Sequence, residues 1–351
     1  MLSYIKNYVD FKSINSSIKY LSISAFFTGI ALGYFFTVIV ITLKLKGYNE
    51  STIGIISASF SLGLVIAGFF VSKILSNLGL YRMLLVSVSI QTVCVVAMFT
   101  YFIPINLVLG HFIMGIMGGM NWMTMDTWAN IVSSNKNRGK AIGLYNSSIS
   151  IGFAIGPLLV AIFGTQGFFP IILCILLMLI RIPAMQIIKK HINNVTIPEQ
   201  VNKINFSFLR IAPFIFLAIF ISGINDSSFG ALFPAFMINE FFSDRSIGLY
   251  FFIGAFGGVI SQPFVGALAD KVNKRKFLFL LLICHIIWPW LLFNFISTTS
   301  IVVLSVTIWG FASVSLYTVA LAYLGERVSI KEISVATSLF IIIYEGGEFF
   351  G

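Results

Sequence analysis

The stretch "IGLYFFIGAFGGVISQPFVGALADKVNKRKFL", residues 247–278, decides the fold class. Apart from Ser261 and Gln262, residues 247–269 are apolar, aromatic, glycine or proline. The run breaks at Asp270 into a short loop holding Lys271, Asn273, Lys274, Arg275 and Lys276, and turns apolar again at Phe277. An apolar run of about 20 residues crosses a bilayer at 1.5 Å per residue. A basic loop between two such runs anchors a turn at a membrane face.

The same pattern occurs earlier. Shifted by 194, the stretch lies without a gap on "IGIISASFSLGLVIAGFFVSKILSNLGLYRML", residues 53–84. Ile53, Gly54, Gly63, Val65, Ile66, Phe70, Val71 and Leu84 find identical partners. A shift of 195 lays "AIGLYNSSISIGFAIG" (141–156) on "ATSLFIIIYEGGEFFG" (336–351), matching Ala141, Leu144, Gly152 and Gly156 to Ala336, Leu339, Gly347 and Gly351. Two shifts this close imply two related halves, an architecture typical of transporters that hold substrate between the halves near mid-membrane.

Composition extends this reading to the whole chain. Hydrophobic residues make up 58%, charged residues 10%, and mean hydropathy is +0.99. Soluble domains carry about 25% charged residues, so lipid is the solvent here. Apolar spans are expected near 20–43, 52–72, 83–103, 105–130, 140–163, 167–188, 211–237, 247–269, 277–296, 300–324 and 334–351. The fold class is therefore an all-α polytopic membrane protein of two pseudo-symmetric six-helix bundles, the second incomplete. By the repeat, roughly 35–40 residues would follow Gly351, completing an eleventh helix and adding a twelfth.

The net charge of +10 invites a nucleic-acid reading, but its distribution argues for topology. With the N-terminus in the cytoplasm, 19 of the 22 Lys and Arg fall on the cytoplasmic side; Lys44, Lys46 and Arg245 fall outside. That is the positive-inside pattern. The expected organisation is a cytoplasmic segment at 1–19, a first bundle at 20–188, a cytoplasmic linker at 189–210 and a second bundle at 211–351. The first segment, with Lys6, Lys12 and Lys19, has no cleavage-type site. Cys94, Cys174 and Cys284 all lie in apolar spans and read as packing residues, with no metal spacing and no disulfide framework. No paired-His motif, nucleophile elbow or phosphate loop is present, so neither an enzyme nor a cofactor is expected.

Ionisable groups inside spans are costly and mark function by default. Asp226 lies about 15 residues into the seventh span, roughly 22 Å at 1.5 Å per residue. Glu345 and Glu348 sit near mid-depth of the eleventh, three apart and so on one face. Two like charges that close in low dielectric are not both expected to ionise. The pair is a candidate proton-coupling element; the bland alternative is that it merely faces a wet cavity. His111 is a softer candidate for proton exchange, against a packing role. Arg181 is expected to snorkel to the inner face. Gln91, Asn121, Asn146, Asn225 and Gln262 could line a polar pathway or bond neighbouring helices. Gly29/Gly33, Gly115/Gly119, Gly152/Gly156 and Gly254/Gly258, each four apart, predict close helix crossings, and Pro157 a bend.

The segment "GALADKVNKRK" (266–276) resembles the loop signature of the major facilitator superfamily. Gly266 would permit close helix approach, Asp270 would pair with a base or a helix N-terminus, and Asn273 would take a left-handed turn. Lys271 and Arg275 belong to the basic anchor. "GHFIMGIMGGMNWMTMDTWAN" (110–130) with "NRGKAIGLYN" (137–146), and "SLYTVALAYLGERVSIKEISVATSLFIIIYEGG" (315–347), are similar to an orphan bacterial branch of that superfamily. The resemblance covers the whole chain and implies twelve spans. It also places an acid at Asp126, for an ion pair with Arg138 or another loop base. "GFAIGP" (152–157) resembles the antiporter motif of exporting members, without its trailing glycine pair, since Leu158 and Leu159 follow.

Some positions depart from the family pattern. In the first-half loop Ser72, Ser76 and Asn77 replace the signature's glycine, acid and base, while Gly79 and Arg82 remain. His111 stands where the family has arginine, and Glu345 and Glu348 stand where the branch has small residues. The resemblance implies a monomeric secondary active transporter of the inner membrane, moving a small solute by alternating access with protons as the candidate coupling ion. Lipid and solute, not nucleic acid, are its expected partners. The competing reading is a truncated or decayed relative without transport activity.

Overall fold

In a computed structural model of the chain, residues 16–132, 138–192, 206–269, 272–328 and 333–351 are described. Every element among them is helical: α1 (Ser16–Leu45), α2 (Glu50–Thr100), α3 (Pro104–Val132), α4 (Arg138–Phe163), α5 (Phe169–Ile192), α6 (Phe208–Ile211), α7 (Pro213–Asn239), α8 (Asp244–Ala269), α9 (Lys274–Asn294), α10 (Thr299–Arg327) and α11 (Ile333–Phe350). Helices satisfy their own backbone donors and acceptors, which lipid cannot do.

At 51 residues α2 is far too long for one crossing. It reverses at Gly79, whose φ of 75° and ψ of 161° are non-helical. Both arms pack on α3, in opposite senses. On the first arm, Gly63 abuts the Phe112 carbonyl and Gly119 the Ala67 side chain, so numbering rises together. On the second, Met98 packs on Gly110 and Gln91 donates to the Met114 carbonyl, so numbering runs oppositely. The third span accordingly begins just after Gly79 rather than near residue 83.

Seven described stretches are long and apolar enough to cross a membrane. The sequence suggested ten full spans. α3 is of similar length, but glycine and polar residues dilute its apolar run; α8 is 26 residues long and, from Ile247 on, polar only at Ser261 and Gln262.

Glycine crossings repeat across the halves. In the first, a Cβ at Gly29 would strike the Ile149 carbonyl and one at Gly152 the Phe26 carbonyl. In the second, Gly223 meets the Tyr344 carbonyl and Gly347 the Phe220 carbonyl, each at a shift of 194 or 195. Likewise Gly115 against Phe60 becomes Gly310 against Gly254. The two halves thus share helix pairs, α1·α4 with α7·α11 and the first arm of α2·α3 with α8·α10.

The loops after α1, the second arm of α2, α4 and α7 gather at one end. Tyr48 donates to the Phe102 carbonyl at 3.4 Å, and Asn239 of the second half donates to Glu50 of the first at 3.0 Å. Asp244 accepts from the Thr165 backbone N–H and hydroxyl at 2.6 and 2.9 Å. This is the clasped end. At the opposite, basic end, Lys189 covers the Tyr81 ring and Lys274 pairs with Glu326. The apolar core follows the same division. Toward the clasped end one cluster joins both halves, holding Phe35, Val160, Phe229 and Ile247 among others. Toward the basic end each half keeps its own, around Trp128 and Tyr145 in the first and Phe277 and Leu316 in the second.

Candidate functional site

The glycine crossing of α7 and α11 builds the site. With no side chain at Gly223 or Gly347, each backbone approaches the other closely, and Asp226 comes beside Tyr344. The Tyr344 hydroxyl donates to Asp226 Oδ2 at 3.0 Å, and Ser222, one turn away on α7, donates to the same oxygen at 3.5 Å. Glu345 and Glu348 follow Tyr344 on α11. Glu348 Oε2 accepts from the Ser61 hydroxyl at 3.4 Å, a bond from the first half to the second. Tyr317 of α10 sets its ring edge-on to Tyr344, centroids 5.5 Å apart. Trp309 and Ser313, also of α10, face Asp226, as does His285 of α9.

All three carboxylates are half-buried. The ion pairs among the described residues, Lys44–Glu50 and Lys274–Glu326, lie at the two ends of the molecule. Asp226 Oδ1, Glu345 Oε2 and His285 Nε2 are buried atoms without a hydrogen-bond partner. Taking polar groups out of water without partners is costly; Ser313 and Trp309 lie against Asp226, and Glu345 against Glu348.

The structure therefore brings Asp226, Glu345 and Glu348 together and places His111 elsewhere. His111 is buried in α3, its Nδ1 2.9 Å from the Leu107 carbonyl and its ring against Phe35. Asp126 faces Tyr145 and Trp122 near the basic end of α3. Arg138 opens α4, and Gly266 lies within α8 near its end. Asp270 and Lys271 lie outside the described residues. Gly152 and Gly156 seat α4 against α1, meeting the Phe26 carbonyl and the Tyr34 backbone, and the Pro157 carbonyl packs on Gly248.

Two expectations are corrected. Asn273 does not take a left-handed turn. Its φ is −66°, and it caps α9, its side chain accepting from the Lys276 N–H at 3.2 Å. Its neighbour Arg275 lies over the Phe214 ring. Arg181 does not snorkel; it is fully buried and donates from Nε to the Thr28 hydroxyl at 3.3 Å.

His285, Tyr344 and Ser61 were missed. His285 offered the same signal as His111, an imidazole in an apolar span. Its backbone carbonyl accepts from Asn225, which also takes the Trp288 indole N–H at 2.8 Å. Ser61 offered none, because serines are common along the first arm of α2.

A repeated-bundle membrane protein with a polar centre between its halves is the class these features define. A model of the Major Facilitator Superfamily matches residues 21–351, and the chain belongs to that family. Among curated relatives, an uncharacterized MFS-type transporter of Bacillus subtilis (strain 168), YfkF, is 24% identical over 266 residues, 73% of this chain and 66% of that protein. The uncharacterized MFS-type transporter YcaD of Escherichia fergusonii is 22% identical over 319 residues, covering 85% and 77%. Two crystal structures of the nucleoside transporter NupG, one of a point mutant, give TM-scores of 0.75 and 0.80 at 13% and 12% identity, covering 96% and 95% of this chain and 89% of theirs. A bacterial homolog of the human lysosomal transporter Spinster, in an inward-facing and unoccupied conformation, gives 0.72 at 14% identity, covering 96% and 82%. At these identities the likeness concerns the fold.

Proposed function

We propose that the protein is a secondary active transporter, moving a small solute across the inner membrane by alternating access with proton coupling at Glu345, Glu348 and Asp226. The observation that carries this reading is the placement of three carboxylates on facing helices, one of them bonded to Ser61 across the two halves. A proton neutralising Glu348 changes that bond, and with it the relation of the halves. Proton movement and bundle movement then share one group.

The halves correspond to residues 20–188 and 211–351, joined by a linker at 189–210. The positive-inside rule supports the basic end, and the N-terminus with it, as cytoplasmic. The clasped end is then the outer face, and the separate cores toward the basic end fit a state closed to the outside. The protein works as a monomer.

The test is reconstitution of the full chain into liposomes loaded with a pH-sensitive dye, followed by a solute screen. Solute-driven proton flux, lost in the Glu345→Gln/Glu348→Gln double variant, is expected. Solute uptake with no proton movement at any pH would remove the coupling reading; no uptake of any solute would remove transport itself.

A further inference from the structure

We infer that Asn225 is a positioning residue of the coupling site: its amide takes the place of the backbone N–H that Pro289 removes from α9, and so fixes α9 on α7 with His285 beside Asp226. This rests on the reading of Asp226 as a coupling group and adds the residue that sets its neighbour.

Proline chemistry creates the need. Pro289 lies inside α9 and has no N–H, so the His285 carbonyl, one turn before it, loses its partner within the helix. In lipid such a carbonyl is costly unless another donor meets it. Asn225 Nδ2 donates to it at 3.3 Å. The other end of the same amide, Oδ1, accepts from the Trp288 indole N–H at 2.8 Å. A carbonyl only accepts and an indole only donates, so the Asn225 amide fits in one orientation. From α10, the Ser305 hydroxyl donates to the Trp288 carbonyl at 2.6 Å. The Trp288 ring also meets Phe229 of α7 edge-on, centroids 5.4 Å apart.

The direction of the His285 ring follows from that backbone. Its Nδ1 lies 2.8 Å from the Leu281 carbonyl, so the ring is held by α9 itself. Asn225 and Asp226 are adjacent on α7. A helix seated on Asn225 therefore carries His285 against Asp226. The first half lacks every part of this arrangement. At the 194 shift, Ala31, Leu32, Gln91, Cys94 and Val95 stand where Asn225, Asp226, His285, Trp288 and Pro289 stand. The second arm of α2 accordingly keeps an N–H at every position of that stretch and needs no donor from outside. The proline, the amide that answers it, the imidazole and the acid thus occur together in one half and are all missing from the other. Because the link runs through a backbone atom, movement of α7 takes α9 and its imidazole along.

The experiment uses the full chain, built without its native cysteines and carrying the pair Asp226→Cys/His285→Cys, and follows crosslinking by a short bifunctional methanethiosulfonate in membranes. Asn225→Ala is expected to slow crosslinking about tenfold, the effect of losing one buried hydrogen bond. Adding Pro289→Ala, which returns a backbone N–H to the His285 carbonyl, is expected to restore it. In liposomes, with Asp226 and His285 intact, Asn225→Ala should lower solute-driven proton flux and Pro289→Ala should recover it. His285→Gln should remove nothing further once Asn225→Ala is in place. Size-exclusion profiles establish that the variants fold. Crosslinking indifferent to Asn225→Ala, slowing that Pro289→Ala does not relieve, or flux losses of Asn225→Ala and His285→Gln that simply multiply would each overturn the proposal. The expected crosslinking in a protein that moves no protons would leave the placement standing and overturn the coupling reading instead.

Discussion

Gly346 and Gly347 are neighbours in sequence with opposite surroundings. A Cβ at Gly347 would strike the Phe220 carbonyl on α7, whereas one at Gly346 meets nothing within 4 Å. Gly347→Ala must therefore push the helices apart and is expected to cost about 1–3 kcal/mol, read as a lower melting temperature in detergent. Gly346→Ala should be neutral or slightly stabilising, since it also favours the helix. Equal effects would contradict the α7·α11 crossing. Tyr344→Phe removes the donor to Asp226 Oδ2 while keeping the ring beside Tyr317. It is expected to weaken solute-driven proton flux with little change in melting temperature. At this scale the three acids were legible in the sequence, because carboxylates in apolar runs stand out. His285 was legible in kind, but nothing separated it from His111 until the fold put one near Asp226 and the other against Phe35.

Among the elements, α2 depends most on a single residue. Gly79 combines φ 75° with ψ 161°, a region essentially restricted to glycine. Gly79→Ala is expected to cost about 1–3 kcal/mol, seen as a lower melting temperature and a smaller folded fraction. An unchanged melting temperature would mean that the turn is made otherwise. The matching position under the 194 shift is Asn273, which solves its turn by capping α9 from an ordinary backbone conformation. Similar loops in the two halves thus turn by different local chemistry. Sequence showed the loops clearly, since charge clusters end apolar runs. It did not show which backbone torsions each would use.

Across the whole molecule, the clasp joins the halves through Asp244 with Thr165 and Asn239 with Glu50. These exposed or half-buried polar contacts can break without a large penalty, as alternating access requires. A Thr165→Cys/Asp244→Cys pair, built without the native cysteines, is expected to crosslink in membranes and to abolish uptake until reduced. Undiminished uptake by the crosslinked protein would argue that the clasped end need not open. Asp244→Ala should leave folding intact and raise the labelling of cysteines placed deep between the halves.

The sequence by itself determined the class, the repeat and the family resemblance. Each is carried by quantities that run along the chain: apolar length, loop charge and residue identity at a fixed shift. It also marked Asp226, Glu345 and Glu348 as out of place in lipid. Only the tertiary structure decided what these residues meet. The rotation of each helix about its axis selects the facing side chains, and here close glycine contacts between backbones set that rotation. Gly223 and Gly347 bring Tyr344 to Asp226, the inter-half packing brings Ser61 to Glu348, and α9 brings His285 within reach. Partners so far apart along the chain leave no mark in either local stretch, so the acids could be found by reading and their neighbours only by folding.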